Sequence, residues 1–184
     1  SFYLFLLKIG EIEVSPLENI FSLKFYVEKQ IPFSQEEMSN HQLAEFQPKK
    51  KSLLKEVIID TLYQTGIRKA ELMNLLMEDV DFSNLEIKVI GKGNKARIIP
   101  ISSGLAQKMQ DYLKDRKPLK DHDSYFFINA KGKKLNDKFV YSTVNSYLSL
   151  VTSKKKKSPH ILRHSFATHV LEHGAEISKV KKIM

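Results

Sequence analysis

Apolar residues recur along most of this chain at the three-and-four spacing of a helix, and over one short stretch they switch to strict alternation. Leu53, Leu54, Val57, Ile58, Leu62 and Tyr63 share one helical face, and Gly66 follows where a helix end needs a residue able to turn left-handed. That segment is expected to be a buried core helix. Leu72, Leu75 and Leu76 predict a further short helix. Leu85 to Ile90 then alternates with period two and Ala96 to Ile99 reads as a second strand, so Gly91-Lys92-Gly93-Asn94-Lys95 between them predicts a hairpin turn with lysines at its tip. Tyr125-Phe126-Phe127 is the expected third strand. Leu105 to Leu113, inside a helix from about 102 to 116, and Phe139, Val140, Thr143, Val144, Tyr147, Leu148 and Val151 predict two more amphipathic helices. Ser158-Pro159 is a helix start, because proline has no N–H to waste in the first turn, and Glu176 to Met184 reads as a last helix.

Earlier in the chain, Ser34-Gln35-Glu36-Glu37 fits a capping box and predicts a helix from about 35. Pro16 to Asn19 and Lys29 to Pro32 read as a connection, which puts a boundary near residue 30 between a leading helix and the main body. The expected fold class is α+β, mainly α-helical with a small antiparallel sheet of about three strands.

Composition narrows the partners. The 184 residues, 42% hydrophobic, suffice for a sizeable core, and the net charge of +9 favours a polyanion. Basic residues clump at Lys49-Lys50-Lys51, Lys92 to Arg97, Lys131 to Lys134 and Lys154 to Lys157. Any one run alone reads as a solvated loop, but the set together favours nucleic acid. The absence of cysteine excludes disulfides, thiolate metal sites and cysteine nucleophiles. The apolar run Phe2 to Leu7 is too short to span a membrane and has no basic segment before it, so no membrane partner and a cytoplasmic location are expected. Because the chain opens on Ser1 in the middle of that apolar run, it reads as a piece of something longer.

Candidate chemistry is concentrated in His160-Ile161-Leu162-Arg163-His164-Ser165-Phe166-Ala167-Thr168-His169. His160 and Arg163 stand three apart, hence on one helical surface, and a guanidinium fork beside an imidazole suits the oxygens of a phosphodiester. A competing reading is a zinc metallohydrolase, since His160 and His164 are four apart and His169 to His173 fits H-x-x-E-H. Against it, Ile161 stands where H-E-x-x-H needs its glutamate, and no third ligand can be named. His164 and His169 are explained as well by packing or capping as by chemistry.

Thr65-Gly66-Ile67-Arg68-Lys69-Ala70-Glu71-Leu72, the Gly91 to Arg97 turn and the His160 to His169 block occur in the order and approximate spacing of the tyrosine recombinases, and the chain resembles a Xer-type or phage-integrase-type member of that family. The resemblance spans most of residues 65 to 169. It implies that residues 1–30 hold the last helix of a core-binding domain plus its linker, and that 31–184 are a catalytic domain lacking its C-terminal part. It also implies that Arg68 and Arg163 grip the scissile phosphate, that Lys92 protonates the departing 5′ oxygen and that His160 is an acid/base partner. Glu71 would orient Arg68, and Lys95 and Arg97 would touch DNA phosphates. Paired arginines can neutralise the charge of a five-coordinate phosphorus, so neither a metal nor ATP is expected as cofactor. The activity implied is site-specific cleavage and rejoining of double-stranded DNA through a 3′-phosphotyrosyl bond, in a tetramer on synapsed DNA.

The family pattern continues after the arginine with a Leu-Gly-His block and a nucleophilic tyrosine. The last tyrosine here is Tyr147, ahead of the His160 block, so the piece is expected to bind DNA and to be inactive alone. A non-catalytic DNA-binding module is the third reading. It would use the same basic patches and ask nothing of Arg68 or His160.

Overall fold

The computed structural model describes residues 52–91, 93–152 and 157–184, with residues 10, 11, 32 and 34. The expected leading helix, its connection and the helix from about 35 lie outside the described residues, as does Lys92 at the hairpin tip.

Helix α1, Leu53–Thr65, runs through the core with Val57, Ile58 and Leu62 fully buried. At roughly 1.5–3 kcal/mol for each such side chain, this one face supplies a large share of the apolar stabilisation. The helix stops at Gly66, as its sequence predicts: Gly66 has φ 62° and its N–H donates to the Leu62 carbonyl at 3.1 Å. Helix α2, Lys69–Asn74, follows after three residues. It is shorter than the leucines at 72, 75 and 76 suggest, because Leu75 and Leu76 leave it in extended conformation.

Three antiparallel strands follow, β1 (Val80–Asp81), β2 (Glu86–Ile90) and β3 (Ala96–Pro100), in the order β1-β2-β3. The hairpin register pairs Ile87 with Ile99, Val89 with Arg97 and Ile90 with Ala96. The expected turn joins β2 to β3: Gly91 N–H donates to the Lys95 carbonyl at 2.9 Å, and Gly93 and Asn94 have φ 77° and 58°.

The third strand is therefore β1, not Tyr125-Phe126-Phe127. That segment makes one isolated bridge, Leu76 with Tyr125, and Phe126 N–H donates to the Leu75 carbonyl at 2.8 Å. Phe126 and Phe127 are fully buried and pack edge-to-face, with ring centroids 4.9 Å apart. The apolar run signals burial, which a strand and a core-crossing loop share.

Helix α3, Ser103–Asp115, begins at Ser102, whose hydroxyl accepts from Leu105 N–H at 3.1 Å. Helix α4, Asp137–Val151, begins at Asn136, whose side-chain oxygen accepts from Phe139 N–H at 2.8 Å. Each cap satisfies a backbone donor that the first turn would otherwise leave open. Helix α5, Pro159–Glu172, starts at the expected Ser158-Pro159 step, and α6, Ile177–Ile183, follows it. Helix α1 packs against α3 on one side and α5 on another, while α6 packs against both α5 and β3. Among the described residues no helix is long and apolar enough to cross a membrane.

Candidate active site

The turn between α1 and α2 meets helix α5 because residue 66 has no side chain. A Cβ placed on Gly66 would stand 2.3 Å from Phe166 Cδ1, so the phenyl ring occupies the space a larger residue would need. One turn before Phe166 on the same helix, the buried Arg163 donates from Nη1 to the Gly66 carbonyl and from Nη2 to the main-chain oxygen of Met184. The first and third sequence blocks are thus in direct contact.

Arg68, two residues after Gly66, caps α2. Its main-chain N–H donates to Glu71 Oε2 at 2.7 Å and its Nη1 to Glu71 Oε1 at 3.0 Å. Its side chain remains 48% exposed against 5% for Glu71, so the guanidinium keeps an open edge. Glu71 was expected to orient Arg68, and it lies where that requires. It also receives a second arginine: Arg97 donates from Nη1 to Oε1 at 2.9 Å and from Nη2 to Oε2 at 2.8 Å. Burial pushes the Glu71 carboxyl up, but the hydrogen bonds from Arg97 and then Arg68 outweigh it and leave the group below its ordinary value.

The electrostatic field here is positive. Burial pulls the Arg163 pKa down to about 10; repulsion from Arg68 adds to that, Glu71 opposes it and Arg97 lowers it further. The Glu71 carboxylate thus binds the guanidinium groups of Arg68, at the α2 start, and of Arg97, on β3, while that of Arg163 on α5 feels it only through the field, and an anion brought to Arg68 and Arg163 would relieve their repulsion.

The remaining expected residues fall into two groups. Lys95 is exposed beside the turn, as a phosphate contact must be. Arg97, expected beside it on DNA, is turned inward: it shares the inner face of β3 with the buried Ile99 and is occupied by Glu71. The signal that could have revealed this is the strand's own period of two, which puts residues 97 and 99 on one face. His160 is exposed in the first turn of α5 while Arg163 is buried, so a helical spacing of three does not bring them to the same depth.

His169 is buried, with Nδ1 and the Tyr63 hydroxyl 2.9 Å apart in a hydrogen bond, and His173 Nδ1 donates to the His169 carbonyl at 2.6 Å. These are packing and end-of-helix roles. Among the described residues no group of His, Cys, Asp or Glu is arranged to hold a metal ion, and the zinc reading gains no support from this geometry.

The family model described as the phage integrase family matches residues 29–184. The chain belongs to the phage integrase family. Over its whole length it is 32% identical to a tyrosine recombinase XerC from Pelobacter propionicus, of which it spans 61%. Its fold is similar to that of a XerA recombinase, at 29% identity and TM-score 0.71, covering 83% of this chain and 55% of that one. It is also similar to a Tn1549 transposon integrase solved in complex with circular intermediate DNA, at 23% identity and TM-score 0.74, covering 99% of this chain and 66% of that one. The mostly helical fold with its three-stranded antiparallel sheet is the tyrosine recombinase catalytic fold.

Proposed function

We propose that this chain supplies the phosphate-gripping part of a site-specific recombinase that cleaves and rejoins duplex DNA through a 3′-phosphotyrosyl intermediate. The observation that carries the reading is the meeting of the Arg68 turn with Arg163 through Gly66 and Phe166, in a field of excess positive charge. In this reading Arg68 and Arg163 bind the non-bridging oxygens of one phosphate and stabilise the charge gained as phosphorus becomes five-coordinate. Lys92 donates a proton to the departing 5′ oxygen, His160 is the acid/base partner at the edge of the site, and Lys95 holds a flanking phosphate. Residues 1–30 serve as the end of a core-binding domain and its linker, with 31–184 as the catalytic domain, working in a tetramer on synapsed DNA. The nucleophilic tyrosine is supplied from outside this chain.

Four of the five tyrosines with described positions support that last point; the fifth, Tyr141, is exposed on α4. Tyr112 is buried and donates to the Ile128 carbonyl at 3.3 Å, Tyr63 is engaged by His169, and Tyr125 lies under Lys134, whose Nζ is 4.3 Å from the ring centroid. Burial, and then the charge of Asp60, push the Tyr147 hydroxyl well above its ordinary value.

The test is to mix residues 1–184 with a duplex nicked beside the cleavage position, so that any attack is trapped. Binding that weakens steeply with salt and leaves no covalent adduct is expected, with the logarithm of affinity falling by roughly 0.9 per logarithm of salt for each phosphate engaged. A covalent protein–DNA adduct would place a nucleophile within this chain, and failure to bind duplex DNA at low salt would end the recombinase reading.

A further inference from the structure

The position of Arg97 and its sequence neighbourhood disagree. It lies in the lysine-rich turn region, yet its side chain is 15% exposed where that of Arg68 is 48% exposed. The two arginines also engage Glu71 differently. Arg97 meets the carboxylate edge to edge through two parallel bonds, the geometry in which a guanidinium–carboxylate pair is most directional. Arg68 uses one side-chain nitrogen and its main-chain N–H. Oε1 thus receives a nitrogen from each arginine, and Oε2 receives Arg97 Nη2 and the Arg68 main chain. A carboxylate offers about four lone-pair sites, so those of Glu71 are taken.

The same pair touches the hairpin at its base. A Cβ added to Gly91 would lie 3.1 Å from Arg97 Nη1, 3.6 Å from Glu71 Oε1 and 3.6 Å from the Lys95 carbonyl oxygen. Gly91 directly precedes Lys92, and its N–H closes the turn onto Lys95. The ion pair therefore bridges the α2 start that presents Arg68 and the base of the turn that precedes Lys95. Stability alone does not account for such a pair, since an apolar pair of the same volume is often as good or better.

We propose that Arg97 is a positioning residue: by holding Glu71 edge to edge it fixes the hairpin base against the Arg68 turn and prevents Glu71 from taking the outer edge of Arg68, which stays free for a DNA phosphate. This rests on the reading of Arg68 as a phosphate ligand. Without Arg97, Glu71 is free to rotate and pair with both terminal nitrogens of Arg68, which closes the phosphate-binding edge and neutralises its charge. Arg97 acts through Glu71 and makes no phosphate contact itself.

The experiment uses residues 1–184 and the variants Arg97→Gln, Arg97→Lys, Glu71→Gln and Glu71→Gln/Arg97→Gln, with circular dichroism to establish folding. Duplex affinity is measured by fluorescence anisotropy across a salt series, and the Glu71 carboxyl is titrated by carbon-detected NMR in the chains that keep it. Arg97→Gln is expected to weaken duplex binding roughly tenfold and to lower the salt slope by about one, because Arg68 then leaves its phosphate. Arg97→Lys should recover part of the loss. In the Glu71→Gln background the Arg97→Gln loss should vanish, because no carboxylate remains to close Arg68. Glu71 should titrate at higher pH in Arg97→Gln than in the unaltered chain.

A salt slope lower by about one in Glu71→Gln/Arg97→Gln than in Glu71→Gln alone would show Arg97 on a phosphate and overturn the proposal. An equal loss with and without Glu71 would overturn it as well. If the unaltered chain binds no DNA, the recombinase reading fails, and the Glu71 titration still decides whether Arg97 controls that carboxylate. Should Arg97→Gln not fold, Arg97→Lys carries the same comparisons, because it keeps the charge and removes the fork.

Discussion

The turn at Gly66 and the turn at Gly93 both hold glycine in the left-handed region, at φ 62° and 77°, yet their surroundings are opposite. At Gly66 the ring of Phe166 fills the place of a side chain, while a Cβ at Gly93 would meet nothing within 4 Å. The first turn is fixed by what packs on it, and Arg68 and Arg163 inherit that rigidity through the Gly66 carbonyl. The second is held by its own backbone geometry and, at its base, by the Arg97–Glu71 pair. In the proposed function, the groups that grip a phosphate in one geometry sit on the packed turn, and those that reach along DNA sit on the open one. That division matches the needs of the two tasks, since electrostatic stabilisation of a transition state depends on donors that do not reorganise, whereas backbone contacts tolerate adjustment.

Substitutions should therefore have graded consequences, greatest at the packed turn. In a form of the protein carrying the nucleophilic tyrosine, Arg163→Ala should lower the cleavage rate roughly 10²–10³-fold or more while leaving most of the duplex affinity, because one arginine is a small part of a surface that engages many phosphates. Equal loss of cleavage and binding, seen by comparing trapped adduct with anisotropy, would remove Arg163 from the chemistry.

Gly66→Ala should destabilise residues 1–184 by about 3 kcal/mol, the sum of a left-handed residue with a Cβ and an overpacked contact with Phe166. Urea unfolding measures it, and a change under 1 kcal/mol would show that the turn is looser than its packing indicates. Gly93→Ala carries the backbone strain alone and should destabilise by about 1 kcal/mol. Were the two glycines equally sensitive, the contrast between the turns would be lost.

The smallest effect should come from Lys95→Gln, with folding intact, affinity reduced on every duplex sequence and the salt slope reduced by about one unit. A defect confined to one base position would instead make Lys95 a reader of sequence.

The parts of this molecule visible from the sequence are those settled within a few residues. Gly66 ends α1 and Pro159 opens α5, because caps and turns satisfy nearby backbone groups and leave local signatures. The hairpin was equally plain, with its alternation and its Gly-Asn turn. Strand β1 was not, since Val80–Asp81 is too short to show any period. Phe126 and Phe127 were taken for a strand because burial from every side produces an unbroken apolar run in any backbone conformation. At the site, Arg68 and Arg163 are implied by the family resemblance, with Glu71 three residues after Arg68, and the structure brings the three into one charged neighbourhood. Arg97 was assigned to DNA because its neighbours are basic. Its partner Glu71 is distant in sequence, and only the strand's inward face hinted that it needed a carboxylate.

The account depends on Arg68 and Arg163 serving one phosphate. Its most direct test is a crystal structure of residues 1–184 bound to a duplex. Side-chain nitrogens of both arginines should lie within hydrogen-bond distance of oxygens on the same phosphate, with Arg97 still on Glu71. Arg68 and Arg163 on different phosphates, or Arg163 with no phosphate within reach, would contradict it.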